Sequence, residues 1–345
     1  MITIKEIAKL AHVTPATVSN VLNGKGGASE AKARQIKGLA EKLHYTPNTL
    51  AKSLKRRHSN TIGIITEDLT VFNTPEIVDG IEAFSESRGF EMIMENMRLF
   101  KRYNNDFTDT EKHRRLLDEA VFSLLSKQVE GIIYIGYHCR KIPYLPQNLS
   151  LPFVYAYCFA SDPSYPFVIY DDEKAEYDAT SLLIQNSHRK IGIICGPYSS
   201  FHTQERLRGF QRCLFEHGLL YDNRFTYFGD WGRESGYRFG GRLMEAGATA
   251  IVSQNDIMAC GIYDYCAERG LRVGKDVSLI GFDNREISRA YLPQLSTVEP
   301  PLSDIGRMSA KILIDRIGGA ENGPIHCKMP CRLIERGSVA KISDS

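Results

Sequence analysis

Apolar and polar residues alternate along the first sixty positions with the spacing of short α-helices that each bury one face. Capping residues and helix-stop signals predict three helices, at about 3–11, 14–22 and 29–43. Their apolar positions recur on one face and predict a small common core: Ile4, Ile7, Ala8, Ala11, Val18, Val21, Ile36, Leu39 and Leu43. Residues 48–54 are long enough for one or two more helical turns, and a polar, basic linker follows at 55–60.

From residue 61 onward the pattern changes to short apolar runs that alternate with amphipathic stretches of helical length. The apolar runs, which predict strands, lie at 62–65, 91–94, 131–135, 153–156, 190–195, 250–252 and 277–281. The helical stretches lie at 75–88, 110–127, 172–186, 203–216, 235–246 and 257–269. Alternating strands and helices predict an α/β fold with doubly wound parallel sheets, and the array is long enough for two lobes.

Charge is distributed unevenly between these two regions. The whole chain of 345 residues carries a formal net charge of +2, but residues 1–58 alone carry +8 and the remainder carries −6. A basic head on an acidic body indicates that only the head binds a polyanion such as nucleic acid, although a solvated charged face is the alternative.

The cysteines and the N-terminal sequence indicate the cellular compartment of the protein. The eight cysteines are scattered, without a CxxC pair or zinc-finger spacing, which favours buried free thiols in a reducing cytoplasm. The N-terminus has charges where a signal peptide needs an apolar run, and no apolar run is long enough to cross a bilayer. The sequence therefore predicts a cytoplasmic protein without a membrane partner.

Motifs of common enzyme classes are missing from the sequence. There is no Walker A motif, no GxGxxG after a strand, no GxSxG elbow and no HExxH. The glycines at 24–27 follow a helix rather than a strand and are typical of a turn, and the acidic pair at 171–172 has no histidine or metal-ligand set at useful spacing. We therefore predict no enzymatic activity, no cofactor and no metal.

The most specific pattern is in the head. Residues 4–24 read IKEIAKLAHVTPATVSNVLNG and, together with LHYTPN at 43–48, closely resemble the LacI/GalR family of bacterial transcriptional regulators. The resemblance recurs in weaker motifs along the body, namely IGII at 62–65, ERLRGF at 205–210, QNDIMA at 254–259, DVSLIGFDN at 276–284 and PQLSTV at 293–298. It covers nearly the whole chain.

The resemblance implies that the second helix is the recognition helix of a helix-turn-helix and enters the major groove. Short hydroxyl side chains at its start are candidate phosphate contacts: Thr14, Thr17 and Ser19. Pro15 and Ala16 lack hydrogen-bonding groups, so they can offer only apolar contact to a thymine methyl, whereas Asn20 can read adenine.

Residues 48–54 resemble the family's hinge helix. Leu54 stands where these proteins insert a leucine wedge into the minor groove, which unstacks a base step and bends the duplex. Ala51 suits the close approach of the partner's hinge helix. Asn48 and Lys55 complete the predicted DNA contacts.

The body resembles a periplasmic-binding-protein fold that holds a ligand between two lobes. Family alignment implies ligand contacts at His202 and Arg206, and Asn255 and Asp283 follow strands, where α/β sheets bind ligands. The single tryptophan, Trp231, stands where sugar-binding relatives use an aromatic platform. Four further residues are predicted to face the cleft: Phe72, Asn73, Thr74 and Asp171.

Two departures from the family pattern stand out. The stretch 97–109 is longer than the usual connection and is either a surface loop, which we favour, or a partner site. Where relatives often carry Asp-Asn, this chain has Asp171 and Asp172, and the extra acid leaves the polarity of the ligand open.

The resemblance and the patterns together predict a homodimeric repressor that binds a pseudo-palindromic DNA operator and responds to a small molecule, a sugar in the favoured interpretation. The alternatives are a solute-binding protein that binds no DNA, a regulator with a non-sugar co-repressor, and a doubly wound enzyme. The predicted parts are a helix-turn-helix domain at 1–45, a hinge and linker at 46–60, and an effector domain at 61–345, with lobe one at about 61–187 and 299–321 and lobe two at about 188–298 and 322–345.

Overall fold

The structure is a computed structural model that describes residues 2–45, 58–104, 106, 109–144, 146, 149–320, 323 and 325–342. The chain forms two compact units, Met1–Ser59 and Asn60–Ser345.

The first unit is a three-helix head, with α1 at Ile4–Ala11, α2 at Pro15–Leu22 and α3 at Glu30–Lys42. Each helix begins at a hydroxyl residue whose side chain accepts a backbone N–H of the first turn, as the sequence predicts. The buried core consists of Ile7, Ala8, Ala11, Val18, Val21, Ile36 and Ala40. The other predicted core residues, Ile4, Leu39 and Leu43, are partly buried at its edge.

The second unit contains all fourteen strands assigned in the described residues, together with eight α-helices. The helices are α4 Thr74–Ser87, α5 Leu99–Tyr103, α6 Thr110–Ser126, α7 Asp172–Gln185, α8 Phe201–Glu216, α9 Arg233–Glu245, α10 Asp256–Glu268 and α11 Leu302–Ile317. The strands are β1 Thr61–Thr66, β2 Glu91–Asn96, β3 Ile132–Ile135, β4 Lys141–Ile142, β5 Phe153–Ala156, β6 Phe159–Ala160, β7 Phe167–Tyr170, β8 Ile191–Cys195, β9 Thr226–Phe228, β10 Ala250–Ser253, β11 Ser278–Phe282, β12 Ser296–Glu299, β13 His326–Met329 and β14 Arg332–Ile334.

Two six-stranded sheets form the centres of two lobes. The first has the strand order β13-β7-β5-β3-β1-β2 and is parallel throughout. The second has the order β14-β12-β11-β10-β8-β9, in which only β14 is antiparallel to its neighbour. The predicted doubly wound α/β architecture is confirmed. Because parallel strands all end at one edge of a sheet, each lobe gathers the residues that follow its strands along one edge.

The structure corrects two of the predicted lobe assignments. Helix α7, predicted in lobe one, packs against α8 and against strands of the second sheet. Strand β13, predicted in lobe two, pairs in parallel with β7 of the first sheet. The sequence contains no local signal for either, because only one or two residues separate the elements of the two lobes where the chain crosses, and no recognisable linker is present.

Close helix packing in the second lobe explains the position of α7. A Cβ atom on Gly209 of α8 would lie 2.1 Å from the Glu173 carbonyl oxygen of α7, so only glycine permits this approach. The contact lies one turn beyond Arg206 on α8, and Asp172 at the start of α7 bonds to both His202 and Arg206.

Candidate functional site

Helix α2 carries the predicted DNA-contacting residues of the head. The Thr14 hydroxyl accepts the Thr17 backbone N–H at 3.2 Å, and Pro15 occupies the first helical position, where an N–H has no partner within the helix. Val18 and Val21 are buried in the head core. The opposite side of α2 therefore faces away from that core.

The predicted contacts on this side differ in exposure. Thr14, Pro15, Ala16 and Asn20 are exposed, whereas Thr17 and Ser19 are half-buried. The Thr14 and Thr17 hydroxyls hydrogen-bond to each other at 2.9 Å, so one of them keeps a hydroxyl hydrogen for another acceptor. Gly27 lies beside Asn20, and a Cβ atom on Gly27 would be 3.6 Å from the Asn20 side-chain nitrogen. Gly27 has a φ of +92° and no side chain, so it leaves room for the Asn20 amide. The predicted hinge contacts Asn48, Ala51, Leu54 and Lys55 lie outside the described residues.

The predicted effector residues of the body follow strands at the carboxyl edges of the two sheets. In the first lobe, Phe72, Asn73 and Thr74 follow β1, and Asp171 follows β7. In the second lobe, Trp231 follows β9, Asn255 follows β10, Asp283 follows β11, and His202 and Arg206 lie at the start of α8.

Arg206 is the centre of a buried polar network in the second lobe. Its side chain is 3% exposed. Its Nε donates to Asp172 Oδ1 at 2.7 Å, one terminal nitrogen donates to the Gln254 carbonyl oxygen, and the other donates to the Tyr170 hydroxyl at 2.9 Å. The guanidinium carbon lies 3.4 Å from the centroid of the Phe282 ring. Protein groups therefore occupy three N–H directions and one face of this guanidinium.

The acid that pairs with Arg206 is Asp172, whereas the sequence predicts a ligand contact at its neighbour Asp171. The Asp171 carboxylate instead caps α7 by accepting the Lys174 backbone N–H at 3.1 Å. Burial alone raises the pKa of Asp172, but His202 and Arg206 outweigh this effect and hold that pKa below its ordinary value. The one sequence signal for Asp172 is that the chain has Asp171-Asp172 where relatives often have Asp-Asn.

His202 connects the two lobes. Its Nε2 accepts the backbone N–H of Cys139, from the first lobe, at 3.4 Å. Its Nδ1 therefore carries the hydrogen, which it shares with Asp172 Oδ2 at 2.8 Å. The ring stacks on Tyr170, with 5.3 Å between centroids and 11° between planes. Tyr170, Gln254 and Cys139 are members of this network that the sequence analysis did not identify.

Asp283 lies beside this network with its carboxylate unoccupied. Its backbone N–H donates to the Val298 carbonyl oxygen at 2.8 Å, and its φ is +105°, a strained value for a residue with a side chain. Asp283 is half-buried as a residue, and its carboxylate has no hydrogen bond or ion pair within the described part of the chain. Burial raises the pKa of Asp283 to about 8, and Arg206 offsets only part of that effect.

Trp231 and Asn255 are held together next to Arg206. The Trp231 ring stands over Gly196, where a Cβ atom would lie 2.1 Å from it, and the Arg206 guanidinium is 6.0 Å from its centroid. The Asn255 amide donates to the Trp231 carbonyl oxygen at 3.0 Å and accepts the Met258 N–H at 2.7 Å. Asn255 thus positions the tryptophan and caps α10, which leaves it one amide hydrogen for a ligand.

In the first lobe, Asn73 and Thr74 are fully buried at the start of α4. The side-chain nitrogen and oxygen of Asn73 and the hydroxyl of Thr74 have no hydrogen-bond partner among the described residues. Phe72 is exposed on one face and meets Arg285 of the second lobe on the other, 4.8 Å from guanidinium carbon to ring centroid.

A second buried ion pair anchors the loop that reaches His202. Arg140 donates to both oxygens of Glu67, at 2.7 and 2.6 Å, and the Tyr137 N–H donates to the same carboxylate at 3.0 Å. The Tyr134 hydroxyl is a fourth donor. This pair joins the end of β1 to residues 137–140 and thereby sets the position of the Cys139 N–H.

The long connection at 97–109 packs on the same edge of the first sheet in its described part. The Leu99 N–H donates to the Glu67 carbonyl oxygen at 2.7 Å, and the Tyr137 hydroxyl donates to the Asn104 carbonyl oxygen at 2.7 Å. Leu99 is buried, and the Phe100 ring stands edge-on to Tyr137 at 6.0 Å. This short helix is part of the wall of the first lobe.

The described residues contain no group of three histidine, cysteine or acidic side chains arranged to hold a metal ion. All eight cysteines are free thiols. None of the helices seen in these ranges is both long and apolar enough to span a membrane.

Comparison with known proteins agrees with this architecture. Residues 3–48 match the model of the bacterial regulatory proteins of the lacI family, and residues 180–339 match a periplasmic binding protein-like domain. The chain is 31% identical to the HTH-type transcriptional repressor PurR of Aliivibrio salmonicida, over 99% of this chain and all of that one. It resembles the lac repressor dimer bound to operator and the anti-inducer ONPF, with a TM-score of 0.77, 25% identity and coverage of 98% and 99% of the two chains.

A further solved structure, the transcriptional regulator CelR in complex with cellobiose, superposes with a TM-score of 0.66 and 26% identity, over 98% of this chain and all of that one. The matches extend along the whole chain and include both of its units. The chain therefore belongs to the lacI family of bacterial regulatory proteins and is a DNA-binding transcriptional regulator with a periplasmic-binding-protein-like domain.

Proposed function

We propose that this regulator is a homodimeric repressor whose affinity for a pseudo-palindromic operator changes when a sugar binds between its two lobes. Family membership supplies the DNA-binding repressor and its effector domain. The sugar, the dimer and the individual contacts are the new parts of the proposal.

The observation that carries the sugar assignment is the set of groups gathered at the two sheet edges. An aromatic ring, Trp231, suits the apolar C–H face of a pyranose, and unoccupied polar groups suit its hydroxyls. The half-buried Asp283 of the second lobe has such a group, and in the first lobe the fully buried Asn73 has side-chain atoms without a partner in the described residues. The complex of a related regulator with cellobiose supports the assignment.

Arg206 and His202 act mainly as positioning residues in this proposal. Because Asp172, Gln254 and Tyr170 already occupy three of the five N–H directions of Arg206, it offers a ligand at most its remaining two. The polar contact between His202 and Cys139 joins the lobes and favours the closed cleft.

On DNA, α2 of each protomer occupies a major groove, and two-fold symmetry matches two half-sites. Thr14, Thr17 and Ser19 contact phosphates, Asn20 reads adenine, and Pro15 and Ala16 offer apolar contact to thymine methyl groups. The hinge residues Asn48, Ala51, Leu54 and Lys55 follow the minor groove. The lac repressor dimer bound to operator supports this arrangement by analogy.

The test measures operator binding and thermal stability of the full chain with a panel of sugars and other metabolites. A true effector raises the melting temperature, since it binds the folded state, and changes operator affinity. The sign of that change distinguishes induction from co-repression. Stabilisation only by non-hydroxylated compounds contradicts the sugar assignment, and a protein that binds ligand but no DNA would be a solute-binding protein.

Trp231 provides a direct signal of occupancy, because it is the only tryptophan of the chain. Titration with the effector is expected to change the intrinsic fluorescence, and Trp231→Ala is expected to weaken effector binding by about tenfold or more through loss of the stacking face. Phe228→Ala, at a half-exposed position outside the network, serves as the control. A confirmed effector that leaves the fluorescence unchanged places the ligand elsewhere.

The proposed wedge predicts a sequence-specific effect of Leu54→Ala. Operator binding is expected to weaken by roughly 1–3 kcal/mol, because the bent site loses the side chain that stabilises it. Binding to random DNA should hardly change, since phosphate contacts supply it. Leu220→Ala, at a position 94% exposed, is the control. An equal loss on both DNAs contradicts the wedge.

A further inference from the structure

The acids around the proposed cleft outnumber the single cation that they surround. Arg206 is surrounded by three acids of its own lobe, Asp172, Glu176 and Asp283, each close enough to affect or be affected by its charge. Asp172 bonds to it directly. Glu176, one turn further along α7, is fully buried and has no partner for either oxygen in the described residues. Burial raises the pKa of Glu176 to about 8, which leaves it largely neutral at pH 7.

The remaining acid, Asp283, is the one that a ligand can reach. It is half-buried, whereas Asp172 and Glu176 are buried. The charged and titratable groups that interact with it are Arg206, Asp256, Arg285, Asp172, Tyr157, Tyr170 and Cys331. The two cations among them are engaged elsewhere, Arg206 with Asp172 and Arg285 over the Phe72 ring.

We infer that the effector carries a positively charged amino group, which pairs with the Asp283 carboxylate, so that the class of ligand is a hydroxylated amine such as an amino sugar. The inference rests on the cleft of the proposed function and adds the charge of its ligand. An ammonium group supplies the cation that Asp283 lacks, and the Trp231 ring next to Arg206 offers an aromatic surface that also favours a cation.

The same geometry disfavours an anionic effector. An arginine that recognises a carboxylate or phosphate does so through a paired fork of N–H groups. Arg206 directs Nε to Asp172 and both terminal nitrogens to protein oxygens. An anion would therefore find only the two remaining N–H groups of Arg206, whose charge Asp172 already pairs, and would also meet the unpaired Asp283. Both effects oppose binding.

The pairing has a defined pH dependence. In the ligand-free state burial raises the pKa of Asp283 to about 8, so below that pH an ammonium ligand binds only with release of the carboxyl proton. The affinity for the amine is therefore expected to rise with pH between about 6 and about 7.5, by up to about tenfold per unit. A neutral sugar that needs no ionised Asp283 lacks this rise.

The experiment compares matched ligands on the full chain. Several aldohexoses, their 2-amino-2-deoxy counterparts and their uronic acids are titrated, with melting temperature and Trp231 fluorescence as readouts. The amino compound of the preferred ring is expected to bind about tenfold or more tightly than its neutral counterpart, since one charge-assisted contact separates them. The uronic acid is expected to bind more weakly than both.

Two variants test whether Asp283 causes the preference for the amine. Asp283→Asn keeps the shape and suits the positive φ, and it is expected to abolish the preference for the amine and its pH dependence. Asp304→Asn removes an acid with 63% of its side chain exposed on α11, and it is expected to leave both unchanged. Without ligand, Asp283→Asn should match or exceed the wild-type melting temperature, because no native partner is lost.

Each outcome is decisive. Equal or tighter binding of the neutral sugar, tighter binding of the acid, an unchanged preference in Asp283→Asn, or no stabilisation by any amine overturns the amine inference. If a neutral sugar binds and Trp231→Ala weakens it, the proposed sugar site stands without the amine. If only amines without hydroxyl groups bind, through Asp283, the charge inference stands and the sugar assignment fails.

Discussion

Arg206→Leu is expected to lose about 3–5 kcal/mol of folding free energy, together with the response to the effector. The substitution keeps an apolar group against Phe282 but leaves the Asp172 carboxylate buried without its cation. It also leaves the Gln254 carbonyl oxygen without a donor and removes one hydrogen bond to the Tyr170 hydroxyl. Urea unfolding at pH 7 measures the loss, and operator binding with and without effector measures the response.

A double-mutant cycle with Asp172→Asn isolates the ion pair. The double variant should recover part of the loss, because a neutral amide in place of the Asp172 carboxylate no longer needs a cation. In the folded wild type, the pKa of Asp172 is lower than the ordinary value that it has in the unfolded chain. The ion pair therefore stabilises the fold at neutral pH. This stabilisation is lost as the pH falls from the ordinary pKa through the lower pKa of the folded state. An Arg206→Leu variant as stable as wild type would refute the role of the network.

Arg140→Met is expected to cost a similar amount, about 3–5 kcal/mol, for the same physical reason in the first lobe. The Glu67 side chain is 0% exposed and receives two hydrogen bonds from Arg140. Loss of this pair should also displace the Cys139 N–H from His202 and so weaken effector binding, although neither residue of the pair lies in the proposed cleft. Urea unfolding and effector titration measure the two effects.

The matched control is Arg224→Met. Arg224 also forms a close ion pair, at 2.7 Å from Asp222, but its side chain is 82% exposed, and solvent screening leaves such a pair little effect on stability. Equal losses in the two variants would show that burial is not what makes the Glu67–Arg140 pair strong. A destabilised Arg140→Met with unchanged effector affinity would separate the pair from the cleft.

Predictions from local sequence signals agree with the structure. The caps Thr3, Thr14 and Ser29 start the three head helices as expected, since a hydroxyl and the N–H it accepts lie three residues apart. Apolar runs and amphipathic stretches in the body predicted seven of the described strands and six of the described helices in the correct order, but not the long helix α11. The strands β4, β6, β7, β9, β12, β13 and β14 were not predicted, because each has only two to four residues and so has few positions in which to show a period.

The effector site was predicted less completely. The family motif pointed to Arg206 and His202, and strand ends pointed to Asn255 and Asp283, yet a motif does not show what each side chain bonds to. In the structure Asn255 holds a helix start and the Trp231 loop, while Asp283 has no bonding partner in the described residues. Of these two residues, only Asp283 keeps its side-chain oxygens free to accept hydrogen bonds from a ligand.

The sequence by itself determined the basic head, the helix-turn-helix, the α/β class and the family, because these depend on residues a few positions apart and on a motif read in order. The tertiary structure decided which acid pairs with Arg206, which lobe holds α7 and β13, and which loop meets His202. Those contacts join residues 34, 63 and 73 positions apart, as in Arg206–Asp172, His202–Cys139 and Arg140–Glu67. Only the folded chain brings such residues together, and burial then determines which of the resulting charges are compensated.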